Sequence, residues 1–219
     1  MSSTPANSIR SFVRREGRIT RAQRRALAEF WPLYGIDPGV VSVDLHKLFG
    51  RKVPVIMEIG CGNGDTLVEL AANDPHCDFL GVEVYRPGLG STLQKLRQLG
   101  LTNVKLFGED AVGVLRDRIS AATLTKILIF FPDPWPKKRH HKRRLIQPDF
   151  VRLAAERLVI GGQLHLATDC EDYAEHMLEV LAGEKSLRNT AANAGYTARP
   201  GYRPETKYER RGRGLGHAV

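Results

Sequence analysis

The chain has 219 residues, 42% of them apolar and 26% charged, with a formal net charge of +9. That size supports one well-buried domain, and no apolar run approaches the roughly 20 residues that a membrane helix needs. Its cysteines, Cys61, Cys77 and Cys170, form neither a CxxC pair nor a metal-type spacing, so a reducing, cytoplasmic setting without a metal site is expected.

In chain order, residues 1–50 read as a basic N-terminal extension with a short helix, and residues 51–219 as the main domain. Residues 10–25 hold seven arginines against Glu16, and residues 137–144 hold six Lys/Arg with no acid. A third cluster, Arg199–Arg213, has six Lys/Arg against Glu205 and Glu209, and the rest of the chain is close to neutral or acidic. Such concentration is the footprint of a nucleic-acid binder, because phosphate contacts come from clustered cations. A membrane-surface helix would need an apolar Trp/Phe/Leu face, which these runs lack.

Arg21 to Phe30 is expected to form a short helix stopped by Trp31-Pro32. From Val53 onward, apolar strands at about 53–60, 78–84, 103–109, 125–131 and 162–168 alternate with helices at about 64–73, 88–99, 111–118, 147–159 and 171–182. Asp65 after Gly64 and Pro148 mark helix starts, and Gly161-Gly162 is expected to end the fourth of these helices. The tail reads as a loop and, over Thr206 to Arg211, a last strand. Alternation of this kind predicts an α/β fold with a mostly parallel sheet covered by helices on both faces.

Each proposed strand ends in or beside an acid: Glu58, Glu83, Asp110, Asp133 and Asp169. In a parallel sheet the carboxyl ends share one edge, where ligands bind, and five carboxylates there call for a ligand or cation that uses them. The first strand leads into Gly60-Cys61-Gly62-Asn63-Gly64, whose alternating glycines let backbone N–H groups approach a ligand at a helix start. Glu83 lies nineteen residues beyond Gly64, where an acid takes both hydroxyls of a ribose. These features fit a nucleoside-containing cofactor, either NAD or S-adenosylmethionine. Three details favour the latter: the third glycine is displaced from the dinucleotide pattern, Asp110 suits an adenine amine, and Glu58 suits a cationic amino-acid end.

Phe130-Phe131-Pro132-Asp133-Pro134-Trp135-Pro136 carries one carboxylate on a stiff, proline-flanked segment directly before the basic run 137–144. Trp135 is placed either to stack on an unpaired base or to pack beneath this loop. His140 and His141 read as solvated members of the basic run, and Tyr173 and His176 as packing and surface. The displaced glycine, and the lack of any hydride-transfer constellation, argue against an NAD-dependent oxidoreductase. The full set of acids argues against an RNA-binding protein with a vestigial cofactor site.

Taken together, Arg10-Ser11-Phe12-Val13-Arg14, Glu58 to Gly64, Gly81-Val82-Glu83-Val84, Phe130 to Arg144, Thr168-Asp169, Tyr173 to Met177 and Thr206 to Glu209 resemble the bacterial TrmB-type tRNA (guanine-N7-)-methyltransferases. The resemblance spans nearly the whole chain; Cys61 and Pro136 are small departures from it. It implies a Rossmann-like class I fold, S-adenosyl-L-methionine as cofactor, and methylation of N7 of a tRNA variable-loop guanosine at position 46, with another RNA guanosine as the alternative. It also implies Glu58, Gly60, Gly62, Gly64, Glu83, Asp110 and Asp133 around the cofactor, with Asp133 catalytic. Lys137, Asp169, Thr206, Lys207, Tyr208 and Glu209 would meet the guanosine. Arg139, His140, His141, Lys142, Arg143 and Arg144 would meet the RNA. The arginine-rich start is expected to clamp RNA or close over the cofactor, and the protein to act as a monomer or homodimer with no membrane partner.

Overall fold

The computed structural model describes residues 12, 17–39, 42–193 and 195–219; apart from Phe12, the arginine-rich run 10–16 lies outside them. Helix α1 (Arg21–Tyr34) starts on a capping box in which the Thr20 hydroxyl accepts from the Gln23 N–H and the Gln23 side chain accepts from the Thr20 N–H. It runs past the expected end at Phe30 and contains Pro32. A proline this close to the end removes one backbone bond only, and burial of Tyr34 offsets that loss.

The short β1 (Gly35–Ile36) and α2 (Leu45–Phe49) precede a regular alternation. It consists of β2 (Val55–Ile59), α3 (Asp65–Asn73), β3 (Asp78–Val82), α4 (Arg86–Leu99), β4 (Val104–Phe107) and α5 (Ala111–Gly113), which runs into a π turn. Then come β5 (Leu124–Phe130), a 3-10 helix (Lys138–Arg143), α6 (Pro148–Arg157), β6 (Leu158–Ala167), α7 (Glu171–Ala182) and α8 (Lys207–Gly214). The sheet order is β1-β4-β3-β2-β5-β6, and each neighbouring pair is parallel. Every residue of β2 and β3 is buried, as a parallel sheet covered on both faces requires. Successive strand residues alternate between two cores, Met57, Leu80 and Ile127 in one and Ile56, Phe79 and Leu128 in the other. This is the Rossmann-like α/β arrangement.

Two local expectations need correction. Helix α6 ends at Arg157, and Gly161 and Gly162 lie within β6. There the β5 partner jumps from Leu158 to Gln163, and Gly161 at φ 79° takes the left-handed turn that such a bulge needs. The tail segment expected as a strand is helix α8, because the Thr206 hydroxyl accepts from the Glu209 N–H and caps it. No helix among the described residues is long and apolar enough to cross a membrane.

Helix α1 crosses α4 at Gly90, where an added Cβ would lie 2.8 Å from Gln23 Cβ and 2.9 Å from the Gln23 carbonyl oxygen. Gly90→Ala is therefore expected to cost about 1–3 kcal/mol by overpacking. Gly113→Ala, whose Cβ would meet nothing within 4 Å, should be neutral or stabilising by about 0.5–1 kcal/mol. Urea unfolding of the two variants against the parent checks the contrast.

Candidate active site

Strand β2 sits at the switch point of the sheet: the chain builds β3 and β4 on one side of it and then returns to place β5 on the other. In open parallel sheets ligands bind at such a point, outside the carboxyl ends of the strands, here those of β2 and β5. The loop leaving β2 has Gly60, Gly62 and Gly64 at φ 75°, 56° and 75°. On its protein side the loop is held by close approach. A Cβ at Gly64 would lie 2.4 Å from Thr92 Oγ1, and a Cβ at Gly88 would lie 2.4 Å from the Gly62 carbonyl oxygen. A Cβ at Gly60, by contrast, would meet nothing within 4 Å, which leaves space for a ligand against the backbone. Lys95 on α4 steadies the loop by donating to the Asn63 carbonyl at 2.8 Å and pairing with Asp65.

The five acids do lie at or just beyond the carboxyl ends of parallel strands. Glu58 is only 4% exposed, and its Oε2 has no hydrogen-bond partner. Burial, with Glu83 and Asp65 adding to it, pushes the Glu58 carboxyl up to about 8. A buried carboxylate oxygen left in this state is costly unless a cationic ligand meets it. The Glu83 carboxylate ties β3 to the glycine loop: Oε2 accepts from the Gly62 N–H at 2.7 Å, and Oε1 accepts from the Val84 and Tyr85 N–H groups at 2.8 Å each. Asp110 starts α5 without spending its carboxylate on a cap. Asp169 is half-buried, 3.9 Å from His217 Nδ1. This set of acceptors, with the unmet Glu58 oxygen among them, therefore fits an adenosyl group with a cationic amino-acid end.

Asp133 is exposed, between Phe131 at φ 53° and Trp135 at φ 46°. Bulky residues in the left-handed region cost on the order of 1–3 kcal/mol each and persist where surrounding contacts enforce them. Trp135 is covered by Arg143, whose guanidinium lies 5.1 Å from the ring centroid, and meets His140 edge-on at 5.7 Å, so it supports the basic 3-10 helix. Lys137, Lys138, Arg139 and Lys142 are exposed. Slight desolvation, together with Arg139, Arg143 and the neighbouring lysines, holds His140 below the usual imidazole range.

Two residues expected to meet ligand turn inward. The side chain of Arg144 is 1% exposed and cannot face RNA. Glu209 is buried 2.8 Å from Arg203 and 3.5 Å from Arg199, an ion pair that docks α8 on the sheet, with the Arg203 guanidinium 5.5 Å from the Phe130 ring centroid. Beside it, burial and then Arg203 and Lys126 push His165 down to about 4. Tyr208 stays exposed and stacks on Phe131 at 6.0 Å, and Lys207 lies 5.0 Å from the Tyr208 ring centroid. Thr206 is spent on the cap. Lys95 and the Arg203–Glu209 pair escape a sequence reading because each joins segments distant in the chain or hides inside a basic cluster. The Thr-x-x-Glu spacing of 206–209 did carry a helix-start signal.

A sheet switch point with a glycine loop, an acid bound to that loop and an unmet buried carboxyl oxygen is the site of a Rossmann-like protein built for a nucleoside-containing cofactor, and its similarity to known proteins makes the class a methyltransferase. The family model described as "Putative methyltransferase" matches residues 52–219. Over 212 residues the chain is 51% identical to a tRNA (guanine-N(7)-)-methyltransferase of Idiomarina loihiensis, covering 97% of this chain and 86% of that one. Proteins of the same name from Alkalilimnicola ehrlichii and Methylococcus capsulatus are 52% and 51% identical, covering 99% and 100% of this chain and 92% and 94% of theirs. The chain belongs to the tRNA (guanine-N(7)-)-methyltransferase family, whose methyl donor is S-adenosyl-L-methionine.

Without ligand, Glu58 keeps its proton up to about pH 8, whereas in the unfolded chain it ionises near 4.5. Its contribution to stability is complete below about pH 4.5 and declines as pH rises through about 8. Glu58→Gln removes this decline, so the variant should gain on the parent between pH 4 and pH 9, by on the order of 3–5 kcal/mol. Denaturant titrations across that range measure the gain.

Proposed function

We propose that this protein is a cytoplasmic S-adenosyl-L-methionine-dependent tRNA (guanine-N7-)-methyltransferase acting on N7 of the variable-loop guanosine at position 46. The observation that carries this reading is the buried, unmet Glu58 oxygen beside the glycine loop, one strand from the stiff segment bearing Asp133. When bound, S-adenosyl-L-methionine supplies a methyl carbon on a cationic sulfur; the N7 lone pair makes the new bond as the carbon–sulfur pair returns to sulfur, and no proton leaves N7. Alignment and electrostatics must then supply the acceleration.

In this reading the Glu58 carboxylate takes the cofactor's ammonium, Glu83 its ribose hydroxyls and Asp110 its adenine amine, with Gly60, Gly62 and Gly64 admitting the chain of the ligand against backbone. Asp133 accepts from the guanine N–H donors and offsets the positive charge that develops on the ring, without serving as an obligatory base. Lys137, Asp169, Lys207 and Tyr208 surround the base. Thr206 and Glu209 hold α8 so that Tyr208 is presented. The exposed cations of the 3-10 helix and its approach, Arg139, Lys142 and the partly exposed Arg143, meet phosphates, with His140 and His141 among them.

Asp133→Ala should abolish methyl transfer to unmodified tRNA while leaving donor affinity within about tenfold, read by a labelled-methyl assay with nucleoside analysis and by isothermal titration. Asp133→Asn, which keeps an acceptor and loses the charge, should also lose most turnover if charge is what matters. Retained turnover in both variants would remove this role. Neutralising Arg139 or Lys142 should weaken tRNA binding and lower the salt slope by about one unit per lost phosphate contact, with donor affinity unchanged; binding isotherms at several salt concentrations test this.

A further inference from the structure

Arg144 ends the basic run yet points into the protein. Its Nε donates to the Pro134 carbonyl at 3.0 Å, its Nη1 to the Asp172 carbonyl at 3.4 Å, and its Nη2 pairs with the Asp172 carboxylate. His141 Nε2 lies 3.1 Å from the same Nη2, and the guanidinium sits 4.8 Å from the centroid of the buried Tyr173 ring. Tyr173 in turn accepts from the Ile146 N–H at 3.2 Å. Arg144 is the main cause holding Asp172 below the usual carboxylate range.

The segment that Arg144 grips is unusual in how it can be held. Pro132, Pro134 and Pro136 have no N–H, so three positions around Asp133 cannot donate to a neighbouring backbone. Their carbonyls remain as handles, and the one directly after Asp133 belongs to Pro134. The grip on it comes from a side chain whose other end is fixed at the start of α7, immediately beyond β6 and Asp169. A planar fork with several donors can bind a carbonyl and a carboxylate together, which an ammonium cannot reproduce.

We propose that Arg144 is a positioning residue for methyl transfer: it latches the Pro132–Asp133–Pro134 segment to the N-terminus of α7 and so sets Asp133 against the Asp169-bearing end of β6. This rests on the reading of Asp133 given above. The latch acts on the rate of the chemical step; RNA affinity stays with the outward cations.

The test uses the full chain with Arg144→Met, Arg144→Lys and Asp172→Asn, and begins with the parent enzyme. A parent that methylates no tRNA guanosine sinks the functional reading and not the latch, which a second, activity-free measurement addresses. The chain has two tryptophans, so in a Trp31→Phe background the fluorescence of Trp135 and its quenching by acrylamide report the segment alone. Arg144→Met is expected to raise quenching and lower kcat about 100-fold, the scale for misplacing a reacting group, with KM for tRNA, salt slope and donor affinity unchanged. Asp172→Asn, which keeps the Pro134 bond, should lose less, and Arg144→Lys should restore little. Unchanged kcat and quenching would overturn the latch. So would a salt slope lowered by about one unit at constant kcat, the mark of a phosphate contact. Should Arg144→Met fail to fold, Asp172→Asn and Arg144→Lys decide: losses that track only the folded fraction, with no change in kcat per folded molecule, overturn it.

Discussion

A sheet whose neighbouring pairs all run parallel brings every strand's carboxyl end to one edge, and the rest of this protein answers to that constraint. Acids that lie 111 positions apart in the chain, from Glu58 to Asp169, are thereby brought to a single rim. Burial, with Glu83 and Asp65 adding repulsion, raises the Glu58 carboxyl, so holding a bare carboxylate there is costly. A cationic group brought to the Glu58 oxygen would relieve that cost, so binding free energy and electrostatic relief would have the same origin there.

The opposite charge is kept close but separate. The cations of residues 138–143 ride on a 3-10 helix just after the acid-bearing segment, so a polyanion drawn to them would arrive beside Asp133. Separation depends on stiffness. Prolines and left-handed residues confine the segment's path, Arg144 takes its carbonyl, and the Arg203–Glu209 pair sets α8 against Phe130 and Phe131. Buried ion pairs of this sort contribute little net stability, because desolvation offsets attraction. Their value here lies in direction: each fixes where an exposed neighbour points.

Much of the fold was legible in the chain because its signals are local. The runs around Val55–Ile59, Asp78–Val82 and Leu124–Phe130 are apolar enough to be strands buried on both faces, and α3 and α7 start at Asp65 and Glu171 as their patterns imply. Where a local signal competed with tertiary packing or with a cap, the local signal misled. Pro32 reads as a stop, yet burial of Tyr34 carries α1 past it. Gly161-Gly162 reads as a helix end, yet β5 recruits the pair into a bulge. Thr206 to Arg211 could alternate like a strand, yet the Thr206 cap decides for a helix.

By itself, the sequence determined the alternation of elements, the identity of the acids, the glycine loop and the clustering of positive charge, since composition and short-range periodicity carry all of these. Only the tertiary structure decided which charges face outward. Arg143 and Arg144 are adjacent and chemically alike, but one lies over Trp135 and the other is enclosed by Pro134, Asp172 and Tyr173. Burial is a property of what a distant segment brings to a position, and no residue's own neighbours in the chain can specify it.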